Sequence, residues 1–451
     1  MDRVKQDTSV ELSRSLGLWS ALALVIGTVI GSGIFFKQAS VLQLTGSTSL
    51  ALLAWLLGGL ITLADGLTLS EIGAQIPHTG GLYQYMNHIY GKFWGFMSGW
   101  MQVIVYAPAI VGSIAGYLGL LMVNFFGISS AWKVPIAILA ITLIATLNML
   151  QNRYGATFAI VTTICKLIPI VAIVVFGLFF GHQSGIGETL GSVHQSMGNF
   201  GVAVLATIFA YDGWILITNL GGEIKNPERL LPLAIILGIS IIILLYLGVT
   251  YGIFRSMSAQ RIDQLGENAT AYFATNAFGV WGGRLINIGI MISILGALNG
   301  KIMSFPRIYY AMAHEHQLPF SQWLGRLHRQ TQTPVNATLA LLGLSAAMIL
   351  TVDTDRLSEL CIFVMYSFYI AAFVGVFILR RRHAGGPKLF RTPGYPFVPL
   401  FAILGTGFVV VSELFSDFAG ALTSMLVIAL GIPLYAYLKR YYRGKDDREV
   451  L

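Results

Sequence analysis

Hydrophobic stretches long enough to cross about 30 Å of hydrocarbon recur along the whole 451-residue chain, at 17–40, 49–74, 94–124, 132–150, 156–181, 200–222, 231–253, 284–312, 334–351, 357–379, 396–414 and 421–438. In a bilayer every backbone N–H and C=O must be satisfied, and a helix does this within its own segment. The expected fold is therefore an all-α membrane protein of twelve transmembrane helices. Composition agrees: 55% of residues are hydrophobic and 11% charged, well away from the balance of a soluble domain.

Lys and Arg in the connections set the orientation. With both termini inside, the inner segments hold nineteen of them, and the outer ones hold Lys37, Lys133, Arg255, Arg261, Arg284 and Arg356. The polar N-terminus carries Arg3, Lys5 and Arg14 without a secretory cleavage site and reads as a cytoplasmic tail. The net charge of +8 is a sorting signal with affinity for anionic membrane lipid; no basic, aromatic-interleaved patch points to nucleic acid. Cys165 and Cys361 fall inside spans and read as packing residues. The eight histidines, among them His314, His316 and His383, have no metal-ligand spacing. No metal or cofactor is expected.

Two spans are interrupted. Gly31-Ser32-Gly33 breaks the first, and Phe209-Ala210-Tyr211-Asp212-Gly213-Trp214 the sixth. Unwound chain at mid-depth survives where it lines a cavity or meets a ligand, the mark of a secondary transporter. Helix 1 starts inside and helix 6 outside, so segments 1–5 and 6–10 read as a five-plus-five inverted repeat with its broken helices in matching slots. The expected organisation is a tail at 1–16, a first repeat at 17–181, a second at 200–379, helices 11 and 12 at 396–438, and a cytoplasmic tail at 439–451.

The breaks also suggest a ligand. The half-helix after Gly33 presents free N–H groups and a positive dipole end, which suits a carboxylate. The half-helix ending near Phe209 and Ala210 presents carbonyls and a negative end, which suits an ammonium. A free α-amino acid carries both. The competing explanation is close helix packing, for which small residues such as Gly27 and Gly31 also serve.

Lys166 lies about ten residues into segment five, roughly 15 Å along the helix. It is too deep to reach the interface easily, so it is either a functional cation or a lysine bonded to neighbouring carbonyls. Asp65 in segment two has no evident partner and is a proton site or a structural contact. Glu71, Glu223, Lys225 and Arg229 near the inner ends form a gate network or are solvated charges.

Gly27-Thr28-Val29-Ile30-Gly31-Ser32-Gly33-Ile34-Phe35, Ser70-Glu71-Ile72-Gly73 with Pro77, Gly80-Gly81-Leu82-Tyr83, Phe209 to Trp214, Glu223-Ile224-Lys225-Asn226-Pro227 and Gly296-Ala297-Leu298-Asn299-Gly300 together resemble the amino acid, polyamine and organocation superfamily. Within it they resemble the L-amino-acid transporter branch. Similarity to bacterial serine/threonine exchangers extends over nearly the whole chain. The resemblance implies alternating access and sodium-independent exchange of small neutral L-amino acids of the serine, threonine and alanine type at the plasma membrane. The alternative is a proton-coupled symporter or permease of the same fold. By the same resemblance, backbone at Val29, Ser32 and Gly33, around Gly31, holds the substrate carboxylate. Backbone at Phe209, Ala210 and Asp212 holds the amine, and the Phe209 ring gates the site. Asp212 stands where animal members commonly have Gly, and either contacts the amine or caps the broken helix. Lys166 replaces the metal ion of sodium-coupled relatives, bridging helix 1 near Gly31 and helix 8 near Ser293 and Asn299. Animal members pair with a heavy subunit through a cysteine between helices 3 and 4; the segment Asn124 to Lys133 has none, so no such partner is expected.

Overall fold

The computed structural model describes residues 17–76, 80–150, 152–181, 185–190, 197–328, 331, 333–382 and 390–449. The expected tail at 1–16 and Pro77 lie outside these. Among the described residues every extended element is helical. In chain order these are α1 (Leu18–Val29), α2 (Gly33–Thr45), α3 (Thr48–Gln75), α4 (Leu82–Tyr90), α5 (Lys92–Met101), α6 (Ala107–Phe126), α7 (Lys133–Leu150), α8 (Asn152–Phe180) and α9 (Met197–Tyr211). They continue as α10 (Pro227–Ser256), α11 (Ala259–Leu265), α12 (Ala269–His314), α13 (Ser321–Leu324), α14 (Val335–Thr351), α15 (Thr354–Arg382), α16 (Phe397–Ser416), α17 (Phe418–Ala429) and α18 (Gly431–Glu449).

Nine helical runs among the described residues are long and apolar enough to cross a membrane. The pair α1 and α2, bent by 47° at its break, makes a tenth. The two remaining expected stretches hold shorter apolar helices, Asn199–Tyr211 and Val335–Thr351. Large apolar side chains point outward, among them Leu143 at 60% exposure, Ile164 at 65%, Leu244 at 72% and Leu404 at 70%. Such a belt suits hydrocarbon contact and is the reverse of a soluble surface. The largest fully buried side chains are mostly tyrosines and tryptophans, including Trp55, Tyr106, Tyr211, Trp214, Tyr246, Tyr366 and Tyr369.

Three local features depart from the expected layout. A π-helical turn at Gln102–Tyr106 joins α5 to α6. Gly279, at φ 71°, kinks α12 near its start. The expected tail at 439–451 continues as helix to Glu449, because Ala436, Leu438, Lys439, Arg440 and Arg443 are good helix formers that carry the preceding helix onward. Around the middle of the bundle α1 packs on α8, α10 and α12, and α2 packs on α9. That packing brings the two breaks together.

Candidate functional site

The first break begins where Ile30 turns extended, with φ −68° and ψ 103°. Helix resumes at Gly33, and the amides of Phe35 and Phe36 both donate to the Ser32 carbonyl at 3.0 and 3.1 Å. The amides just before them have no helix carbonyl to bond, so the start of α2 offers donors and a positive dipole end. The Ser32 hydroxyl beside them is buried and has no hydrogen-bond partner.

The second break follows Tyr211. Gly213 sits at φ 124°, a conformation open to glycine, and a Cβ there would lie 2.6 Å from the Thr28 carbonyl oxygen. The Thr28 hydroxyl lies 2.8 Å from the Leu24 carbonyl oxygen and 3.1 Å from that of Gly213, so the two interrupted segments are in hydrogen-bond reach of each other. Tyr246 from α10 reinforces this crossing: its hydroxyl lies 3.3 Å from the Val29 carbonyl and 3.0 Å from that of Ala210. The Phe209 carbonyl accepts from the Asp212 amide at 3.3 Å. The carbonyls expected to be unpaired at Phe209 and Ala210 each have one partner, and each keeps a second lone pair. Gly33 meets the other break directly, since a Cβ there would stand 2.4 Å from Ala210 Cα. Gly31 is looser, with its virtual Cβ 3.0 Å from Ala297 Cβ. Val29, Gly31, Ser32, Gly33, Phe209, Ala210 and Asp212 thus fall at one crossing.

Lys166 is fully buried. Its ammonium donates to the carbonyls of Gly27 at 2.6 Å and Ile30 at 2.9 Å, capping the C-terminal end of α1 where the helix has none of its own. It stands beside α12 at Gly296, whose virtual Cβ is 3.4 Å from Nζ. That position lies between Ser293 and Asn299, and the hydrogen bonds of the ammonium among the described residues go to α1. The Asn299 side-chain oxygen Oδ1 accepts from Asn148 Nδ2 at 2.8 Å, and the buried Ser293 hydroxyl has no partner among the described residues.

Asp212 is occupied. One carboxylate oxygen pairs with Lys301 Nζ at 2.6 Å, both side chains being 2% exposed, and the other accepts from the Tyr106 hydroxyl at 2.8 Å. Its carboxylate thereby ties the broken segment to α12 and to the π-turn. Lys301, Tyr106 and Tyr246 join the site without having stood out in the sequence. A second lysine in an apolar run is the signal that would have found Lys301.

The Phe209 ring lies 6.0 Å from the Tyr117 ring and 5.7 Å from Lys37 Nζ. Lys37, counted among outer-loop charges in the sequence, is instead inside α2 and 1% exposed. It is held there because its ammonium pairs with Asp355, which also accepts from the Tyr117 hydroxyl. On the opposite side of the crossing, Thr28, Leu216, Gly296, Gly300 and Ser304 line a cleft of about 30 Å³, enough for a water or two and too small for an amino acid. Near the expected inner ends Glu71 pairs with Arg380 at 2.6 and 2.7 Å and accepts from the Thr392 amide at 2.8 Å. The Glu223 side chain lies outside the described residues. Asp65 accepts from the Thr406 hydroxyl at 3.3 Å through one oxygen, and its other oxygen has no partner.

Comparison with known proteins places this geometry in a family. Residues 16–432 match the model of the amino acid permease family. The serine/threonine exchanger SteT of Bacillus subtilis (strain 168) is 47% identical over 432 residues, covering 95% of this chain and 98% of the relative. The human cystine/glutamate transporter is 28% identical, over 94% of this chain and 85% of the relative. The mouse Asc-type amino acid transporter 1 is 28% identical, over 97% and 83%. With a family match spanning nearly its whole length, the chain belongs to the amino acid permeases, multi-pass membrane transporters and not enzymes.

Proposed function

We propose that the chain exchanges small neutral L-amino acids, with serine, threonine and alanine as substrates, across the plasma membrane by alternating access and without sodium. The observation that carries this reading is the Ser32 hydroxyl, buried and unpartnered at the donor-rich start of α2, opposite the end of α9 at Phe209 and Ala210. The substrate carboxylate binds at Val29, Gly31, Ser32 and Gly33, and its ammonium binds the second lone pairs of the Phe209 and Ala210 carbonyls. Asp212 shapes the amine side through its backbone. Phe209 closes over the substrate, backed by Tyr117 and Lys37. The similarity to a serine/threonine exchanger over almost the whole chain supports the substrate class.

The reading includes twelve spans in a five-plus-five inverted repeat, the tail at 1–16 and the inner end at 439–451 both cytoplasmic, and action without a heavy subunit. Lys166 supplies the positive charge that a sodium ion gives coupled relatives. The proton-coupled alternative draws support from Asp65, whose second carboxylate oxygen has no partner. The test is competition in proteoliposomes: serinamide and the hydroxy acid glycerate, each lacking one charged end, should inhibit serine uptake at least about tenfold more weakly than threonine, since a charge-assisted hydrogen bond contributes about 1.5–3 kcal/mol. Equal inhibition would remove the two-ended site. Serine uptake into unloaded vesicles driven by a proton gradient would decide for symport.

A further inference from the structure

Gly279 turns the beginning of α12 away from its main axis, and the two limbs touch again where a Cβ on Gly283 would meet Thr275 Cα at 2.4 Å. Beside this hairpin-like bend a cleft of about 440 Å³ opens between α6 and α12. It is separate from the crossing of the two breaks. Its floor carries Asn287, 7% exposed, whose side-chain carbonyl oxygen has no hydrogen-bond partner. Three residues earlier on the same helical face, Arg284 enters the cleft with its guanidinium 5.6 Å from the Trp281 ring, and no carboxylate pairs with it among the described residues. Tyr272 lines the opposite wall and is itself covered by the Arg261 guanidinium at 4.8 Å. The rim is apolar and outward-facing, with Val280 at 61%, Trp281 at 77% and Leu285 at 70% exposure.

We propose that this wedge is a headgroup site for an anionic phospholipid. A phosphate satisfies Arg284, which has an excess of donors. A headgroup hydroxyl donates to the orphaned Asn287 oxygen. The acyl chains leave over Val280 and Leu285 into the bilayer, and Trp281 and Tyr272 sit at the level where aromatic rings gather. A soluble anion would meet the two polar groups and leave the apolar rim uncovered.

The test is thermal unfolding of the purified full-length protein in detergent, titrated with phosphatidylglycerol, phosphatidylcholine or free glycerol 3-phosphate. Phosphatidylglycerol should raise the unfolding midpoint, and the other two should not. Arg284→Gln and Asn287→Leu should each weaken the apparent affinity for phosphatidylglycerol about tenfold, as expected for losing a charged or buried hydrogen bond. Arg284→Lys, which keeps the charge, should retain most of the response and shows that the position tolerates change. An undiminished response in Arg284→Gln overturns the proposal, as does stabilisation by phosphatidylcholine equal to that by phosphatidylglycerol. Equal stabilisation by glycerol 3-phosphate overturns the lipid as occupant in favour of a free anion.

Discussion

The Ser32 hydroxyl is the most economical probe of the carboxylate end, because it is buried, without a hydrogen-bond partner among the described residues, and next to the first amides of α2. Ser32→Ala should leave the unfolding midpoint unchanged and raise the KM for serine by about tenfold or more, the effect of losing one hydrogen bond to a charged group. An unaltered KM would detach Ser32 from the substrate. Gly33 is a poorer probe: Gly33→Val would drive a side chain into Ala210, so lost transport there would not separate ligand contact from the packing of the two breaks. Asp212 and Lys301 form a pair that should be tested together. Removing one partner of a buried ion pair leaves an uncompensated charge, at about 3–5 kcal/mol, whereas removing both costs much less. Asp212→Asn and Lys301→Met should therefore each lower the unfolding midpoint sharply, and the double variant should recover most of the loss. Additive destabilisation would contradict the pairing. These residues also mark what the sequence can and cannot disclose. The Gly31-Ser32-Gly33 and Phe209 to Trp214 interruptions are visible because they violate a local rule of membrane helices. Lys301, Tyr106 and Tyr246 act through partners 36 to 217 positions away in the chain, and no local pattern encodes those pairings. Lys37 was misplaced because a charge near a span end looks the same as one in a loop; only its pairing with Asp355 distinguishes them.

At the scale of elements, α1 ends in mid-bundle without a glycine cap of its own, and α8 supplies the cap through Lys166. Its ammonium is both the counter-charge to the negative end of α1 and a fixed link between α1 and α8. Any movement of the broken helix during transport stretches that link. Lys166→Ala should leave the Gly27 and Ile30 carbonyls unsatisfied and collapse exchange, with KM and kcat affected together. Lys166→Arg should rescue poorly because the planar guanidinium is larger and differently directed. Replacing sodium with choline should leave wild-type exchange unchanged, the charge being already present. Sodium-dependent uptake, or full activity in Lys166→Ala, would return Lys166 to a packing role. The depth of Lys166 is legible in the sequence, whereas its close approach to α12 at Gly296 depends on how the helices pack. The π-turn before Tyr106 and the Gly279 kink were likewise illegible: both leave the apolar pattern intact, and both are fixed by what packs against them.

Across the whole molecule, two groups of side chains flank the crossing of the breaks. Phe209 is held from one side by Tyr117 and the Lys37–Asp355 pair, and the cleft lined by Thr28, Gly296 and Ser304 on the other holds about 30 Å³. In the proposed cycle a zwitterion satisfies the α2 amides, the Ser32 hydroxyl and the carbonyls at the end of α9 while both sides are shut. An empty carrier passing through a closed state must bury the Ser32 hydroxyl and the α2 amides unpaired, or retain water in a space that holds few molecules. Each unpaired buried group costs about 1–3 kcal/mol, and two of them raise the barrier enough to slow the empty return by about tenfold or more. Loaded return avoids this penalty, so transport should run as exchange. In proteoliposomes preloaded with labelled serine, efflux should rise at least about tenfold when serine or threonine is added outside, and should not respond to serinamide. Ser32→Ala, by removing one group that the empty carrier must bury, should narrow the gap between unstimulated and stimulated efflux even as its affinity falls. Efflux that is equally fast without external substrate would show that the empty site closes freely, and would separate the unpaired groups at the start of α2 from obligate exchange.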